Sequence, residues 1–275
     1  MPKGIDPGWE PLIHINGLEE GFHQCCNEMN ERNIVRFLIS DKNNPSSILS
    51  SLTAARENCR TVREIMPRSV WETLNEMYIF VKENMQKGLG KKGRDEYLED
   101  IISRAQQLAG LIASEMYRDP AYHFMRIGRN LERADMTSRI IDVRSTDLFG
   151  DEEIESRSLD ASQWISVLSS VSAYQIYRRH KRVRVQRSES LDLLIRDSQF
   201  PRSIMFSLLA VEESLCACRN DKLTLRSIRN LQRLLTSVSL EVLSQTDLHE
   251  LIDNIQLEII KIHQALEIGF FGKPS

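Results

Sequence analysis

The sequence predicts an all-α fold: a multi-helix bundle with an internal pseudo-duplication. Three observations carry this. Only 12 glycines and 8 prolines occur in 275 residues, and aromatics make up 7%. Strands and their turns consume those residue types, so their scarcity favours helices. Apolar residues recur at three- and four-residue spacing almost everywhere, and alternating β-branched runs are nearly absent. Finally, the segment Leu38–Ile48 reappears as Leu194–Ile204.

The elements follow in order. Glu20 to Ile39 reads as one helix, ended by Asp41-Lys42-Asn43-Asn44-Pro45. Ser46 or Ser47 caps the next helix, which runs to about Met66 and stops at Pro67. Ser69 opens a helix carrying Trp71, Leu74, Tyr78 and Val81. Lys87 to Gly93, basic and glycine-rich, reads as a loop, and Arg94 to Tyr117 as a helix. Asp119-Pro120 is a cap with proline in the first turn. It opens a long helix, 121–149, followed by the acidic linker Gly150-Asp151-Glu152-Glu153. Helices at 161–178, 188–198, 202–219, 222–238 and 247–268 complete the chain.

The repeat has an offset of 156 residues. Positions 38–63 match 194–219 without a gap, with 11 identities in 26 positions. Besides the corner itself these include Ser51/Ser207, Leu52/Leu208, Ala54/Ala210, Glu57/Glu213 and Arg63/Arg219, and Trp9 and Trp164 lie at nearly the same offset. Each copy is a helix end, an Asp-x-x-x-Pro-x-Ser corner and a new helix, so duplication competes with chance likeness of two corners. One all-helical domain over 1–275 is expected, with repeat halves 1–118 and 119–275.

Composition narrows the function classes. Hydrophobic residues are 41% and charged residues 27%, ordinary for a globular protein and unlike a disordered chain or a disulfide scaffold. A net charge of −3 makes no electrostatic case for nucleic acid. No apolar run approaches the ~18 residues of a membrane span, and no signal-peptide core opens the chain. Five cysteines, an odd number, suit a reduced cytoplasmic protein.

The helix at 121–149 holds the main polar candidates. At 100° per residue, Ile127, Leu131, Ala134, Ser138 and Ile141 form one stripe. Met125, Met136, Ile140 and Val143 form a second, opposite one, as in a central helix. Arg129 and Arg133 lie beside the second stripe and Glu132 flanks it, so Glu132 and Arg133 are expected to be buried and Glu132 to be paired with an arginine. Two readings stand: a structural ion-pair network, with Arg139 at neighbour spacing, or an anion site around Arg129 and Arg133. Arg56, Glu57, Arg60 and Arg63 share a face that is either a solvated ion-pair surface or a polar site. Trp71 and Asn75, four apart on one face, either pack and cap the interior or bind ligand, and the first reading is favoured. Tyr177-Arg178-Arg179-His180-Lys181-Arg182-Val183-Arg184 is the most basic stretch, but one aromatic and an acidic neighbour argue against RNA. Cys216-x-Cys218 has no second ligand pair, so no metal site is expected. There is no glycine-rich phosphate loop, HExxH or nucleophile elbow, and no cofactor is expected.

Phe124-Met125-Arg126-Ile127-Gly128-Arg129-Asn130-Leu131-Glu132-Arg133-Ala134-Asp135-Met136-Thr137-Ser138-Arg139 resembles the alpha-E family, all-helical domains named for a Glu-Arg motif. Asn44-Pro45-Ser46-Ser47-Ile48, Ala55–Arg63 and Trp71–Asn75 look like the family's first half. Tyr177-Arg178-Arg179 and Phe200-Pro201-Arg202-Ser203-Ile204 look like its second half. The resemblance covers about residues 8–240. It implies company with circularly permuted ATP-grasp ligases, transglutaminase-like proteins and proteasome-like hydrolases, hence a system that makes or processes a small peptide or amide. The expected role is an accessory protein binding a ligase partner or its product. The alternative is an enzyme handling a carboxylate or acyl phosphate with Arg129, Glu132 and Arg133. The resemblance adds Arg202, beside Pro201, to the candidate polar site.

One departure stands out. Members of the family usually open with an earlier Glu-Arg helix, and the repeat places the equivalent of Glu132 ahead of Met1. The expectation is therefore a shortened sequence or an element supplied by another chain. In the latter case residues near 20–65 form a homodimer or partner surface.

Overall fold

The computed structural model describes residues 8–145, 157–181, 184–218 and 221–272, and the side chains among them except 143–145 and 157–160. The acidic linker, Arg182, Val183, Arg219 and the side chain of Val143 lie outside the described set. Among the described residues every regular element is helical, as the composition predicts. No described helix is long and apolar enough to cross a membrane. None of the five cysteines is in a disulfide.

The chain divides into two compact units, one ending at Tyr122 and one starting at His123. The N-terminal unit holds α1 (Pro11–Asn16), α2 (Glu19–Cys25), α3 (Glu31–Ile39), α4 (Ile48–Thr61), α5 (Arg68–Glu83), α6 (Met85–Leu89) and α7 (Arg94–Glu115). The helix expected over 20–39 is two helices. Cys26 is extended (φ −142°, ψ 135°), and the Asn30 side chain caps α3 by accepting from the Asn33 amide at 3.0 Å. The break lets α2 fold back, so the rings of Phe22 and Phe37 meet edge-on at 5.2 Å beside buried Ile13 and Ile34. Val35, Leu49, Leu52, Leu74, Met77, Val81 and Tyr97 form the second core of this unit. The expected loop at 87–93 is partly helical. Gly88 makes this work, because a Cβ there would come within 2.5 Å of the Tyr97 ring. Sealed in that core, Tyr97 has its hydroxyl pushed up to about 12 by desolvation.

The C-terminal unit begins with α8 (Pro120–Ser145), which starts at the end of the first. It continues with α9 (Arg157–Ser170), α10 (Tyr174–His180), α11 (Arg187–Ile195), α12 (Ile204–Cys218), α13 (Lys222–Ser237), α14 (Gln245–Leu266) and a π-helical turn, Glu267–Phe271. The helix expected over 161–178 is interrupted by Ser172, which adopts a left-handed φ of 56°. One continuous core runs through this unit, from Ile127 on α8 to Leu266 on α14.

The two corners carry the same bonds 156 residues apart. Ser47 Oγ donates to the carbonyl of Asp41 at 2.7 Å, and Ser203 Oγ donates to that of Asp197. The same oxygens then accept from the amides of Ser50 (3.1 Å) and Phe206 (3.0 Å), capping α4 and α12. Asp41 Oδ1 accepts from the Asn43 amide, and Asp197 Oδ1 from the Gln199 amide. The likeness extends upstream. Gly17 after α1 and Ser172 after α9 are both left-handed, at φ 61° and 56°. The next amides, of Leu18 and Ala173, reach back to the carbonyls of Ile13 and Leu168. Downstream, α5 and α13 each have 16 residues, and α7 and α14 each have 22.

Candidate functional site

α8 starts where Asp119 Oδ1 accepts from the Tyr122 amide at 3.2 Å. Its apolar stripe is buried as the periodicity predicts: Ile127, Leu131, Ala134, Ser138 and Ile141 are all at most 7% exposed. The second stripe is weaker, with Met125 exposed and Met136 and Ile140 half-buried. α8 runs antiparallel to α12 and is pinned at three points. Arg126 pairs with Glu213 at 2.5 Å. Arg133 donates to the carbonyl of Pro201 at 3.3 Å, and Thr137 donates to that of Arg202 at 2.9 Å. The first contact falls late in α12 and the other two just before its start.

The Glu-Arg pair does not sit as expected. Glu132 is exposed and has no ion pair among the described residues, so the expectation of a buried, arginine-paired Glu132 is corrected. The cause is the helical step. Residue 132 lies 100° from 131 and from 133, which turns it off the buried stripe while Leu131 occupies it. Arg133 is half-buried. Its guanidinium is held below its ordinary pKa by desolvation and then by the positive charges of Arg129 and Arg202. Arg133 reaches the corner before α12 through the Pro201 carbonyl, with exposed Arg129 one turn back on α8 and exposed Arg202 next in the chain to Pro201, and none of the three has a carboxylate partner among the described residues. Arg139 is not one of them, because it is paired with Asp135 on its own helix at 2.7 Å.

The remaining candidates lie on α4 of the N-terminal unit. Arg60 and Glu57 form an exposed pair at 2.5 Å, the solvated surface reading, and this bond holds the Glu57 carboxyl below its usual range. Arg56 donates from Nε to Asn75 Oδ1 at 2.7 Å and stacks over Trp71 and Tyr78 at 5.6 and 5.1 Å. Arg63 covers the same Trp71 ring at 5.6 Å. The equivalent contact in the other unit is Glu212 on α12 with Arg229 and Gln232 on α13, at 2.8 and 3.0 Å. The charges are reversed but the positions correspond, so Arg56 is a strut between helices.

Sequence reasoning missed a group on α8 and α14. His249 shares a 2.7 Å bond with Asp142 and faces Asp253 at 3.7 Å. The hydrogen bond to Asp142 raises the imidazole pKa. The three could offer ligand atoms to a metal within 4.8 Å of one another. However, Asp142 meets one ring nitrogen and Asp253 the other, an arrangement that suits a held proton. No spacing signal links residue 142 to 249, so only the fold could reveal it.

A family described as "a predicted alpha-helical domain with a conserved ER motif", Alpha-E, matches residues 2–271. The chain belongs to the Alpha-E family. No curated protein and no solved structure matches it. Within this Alpha-E domain, Arg133 of the Glu132-Arg133 pair faces the Pro201-Arg202 corner, and Glu132 faces solvent.

Proposed function

We propose that this Alpha-E protein is a helical accessory factor of an ATP-grasp-linked system for making or processing a peptide or amide. In this reading it binds a carboxylate of the ligase's product. The observation that carries it is the gathering of Arg129, Arg133 and Arg202 without a carboxylate partner among the described residues. A half-buried Arg133 flanked by two exposed arginines costs free energy, and an anion beside it offsets that cost. The family resemblance supplies the ligase context, and the lack of a nucleophile motif beside a base favours binding over catalysis.

The test is a binding titration with a short peptide bearing a free C-terminal carboxylate, against the same peptide amidated. The carboxylate form should bind at least tenfold tighter, and Arg133→Ala should remove about 10- to 100-fold of that affinity, the ~1.5–3 kcal/mol of a charge-assisted bond. Equal binding of both peptides overturns the reading. ATP turnover by a candidate ATP-grasp ligase, with and without this protein, tests the partnership. Glu132, exposed and without an ion pair among the described residues, favours a second reading as an enzyme acting on a carboxylate or acyl phosphate. Product formed without ligase, and lost in Glu132→Gln, would select it.

A further inference from the structure

α14 turns His249 and Asp253 to the same side, because residues four apart on a helix are neighbours. Asp142 reaches the pair from α8, and all three lie in the C-terminal unit. The two distances that flank the ring differ in kind. Nδ1 of His249 lies 2.7 Å from Asp142 Oδ1. An ionised carboxylate only accepts, so Nδ1 carries a hydrogen and donates it. Nε2 lies 3.7 Å from Asp253 Oδ2, too long for a hydrogen bond. That spacing suits two ligands of one ion: bonds of ~2.0–2.2 Å at a tetrahedral angle set nitrogen and oxygen about 3.4 Å apart.

The ring is therefore set as a ligand. One nitrogen is held by a carboxylate, which fixes the tautomer. In the neutral ring the other turns its lone pair toward a second carboxylate. Ligand atoms of the three residues gather within 4.8 Å of one another, so both carboxylates act on an ion held there. Charge favours a dication over a proton. Among the described residues the charges acting on the ring are those of Asp142, Asp253 and Glu250, all negative. A proton cancels one of them and a divalent ion two. The side chains of His249 and Asp253 are 39% and 55% exposed, so an ion has a path in and room for water at its open positions.

We infer that His249 Nε2 and Asp253 Oδ2 bind a divalent transition-metal ion of the zinc class, with Asp142 positioning the ring. The mixed nitrogen and oxygen donors select such an ion over magnesium and calcium, which take oxygen. With two protein ligands the affinity lies well below that of a four-ligand structural site. The ion takes the place of the proton at Nε2, which returns when the metal is removed. The site uses none of the arginines of the anion reading, so either proposal can fail alone.

The test is a calorimetric titration of the full chain with zinc chloride, with hydrogen exchange resolved by segment at saturation. Cysteines also attract zinc, so the site is read by difference. The unaltered chain should take up one zinc equivalent more than His249→Gln. Asp253→Asn should weaken that equivalent at least tenfold. Asp142→Asn should weaken it about 10- to 100-fold, the usual cost of losing the group that orients a ligating histidine. Zinc should raise the protection of α14 amides around His249, and a chelator should reverse this. Asp253→Asn, at an exposed position, carries the test if His249→Gln loses its circular dichroism melt. Equal zinc uptake and affinity in the unaltered chain and both α14 variants overturns the inference, whether the zinc then sits on cysteines or none binds. Weakening by Asp142→Asn with Asp253→Asn unaffected also overturns it, since the ion would then sit on Nδ1.

Discussion

The Ser51–Val62 row of α4 and the Ser207–Cys218 row of α12 begin from the same corner, with the same cap, yet one lies open and the other is sealed. Glu57 and Glu213, identical residues at equivalent positions, pair with Arg60 on the same helix and with Arg126 on α8. The comparison teaches that the corner and its cap are the same whether the outer face of the following helix is exposed or buried. Its core lies on the other side, around Leu52 and Cys59 in one unit and Leu208 and Leu215 in the other. In the C-terminal unit α8, bonded at Glu213, Pro201 and Arg202, adds the arginines. A site that depends on α8 therefore belongs to that unit alone.

The sharpest way to break this comparison is one substitution made in both places. Val211 is fully buried, and its equivalent Ala55 is exposed. Val211→Asp places an unpaired carboxylate in the core and should destabilise its unit by about 3–5 kcal/mol in a denaturant melt. Ala55→Asp should stay within about 0.5 kcal/mol. Equal losses would mean that α4 is covered in solution.

A smaller effect tests the likeness instead of the difference. Ser47→Ala and Ser203→Ala each remove a cap and the hydroxyl bond back to the Asp41 or Asp197 carbonyl. Each should cost about 1 kcal/mol, and the two losses should agree. A loss confined to one corner would show that the shared bonds do not carry equal weight.

Much of this was legible in the sequence, because helical periodicity and corner chemistry are local. The buried stripe of α8 follows from spacing alone, and the gapless match from Leu38 to Arg63 located both corners. The break between α2 and α3 was not legible, since Cys26–Met29 contains neither proline nor glycine. It is set by the packing of Phe22 on Phe37, a tertiary contact. Glu132 was misplaced for a related reason. Two apolar stripes imply burial all round, but Met125 at 38% exposure shows that the second side of α8 is only partly covered. The arginine cluster needed the fold to bring Arg202 to Arg129 and Arg133.

The smallest expected effect separates the units by pH. In the C-terminal unit, His249 has a raised pKa through its bond to Asp142, with Asp253 and Glu250 adding to it. A base with a raised folded pKa contributes stability that is complete below its unfolded value near 6.5, and loses it as pH rises through the folded pKa. In the N-terminal unit, Glu31 has a lowered pKa through hydrogen bonds from Lys91 and then Arg94, at 2.7 and 2.9 Å. That contribution is complete above the unfolded value near 4.5 and is lost as pH falls through the folded one. The two units should therefore weaken at opposite ends of the scale. His249 is 39% exposed, so its share lies within the ~0–1 kcal/mol of surface pairs. The measurement is hydrogen exchange resolved by segment, at pH 3, 6 and 8. Amides of α8 and α14 should lose protection between pH 6 and 8, and those of α3 and α7 below about pH 4.5, between pH 6 and 3. His249→Gln should flatten the first trend without touching the second. Parallel trends in both units, or an unchanged first trend in the variant, would show that these pairs do not tie their helices together.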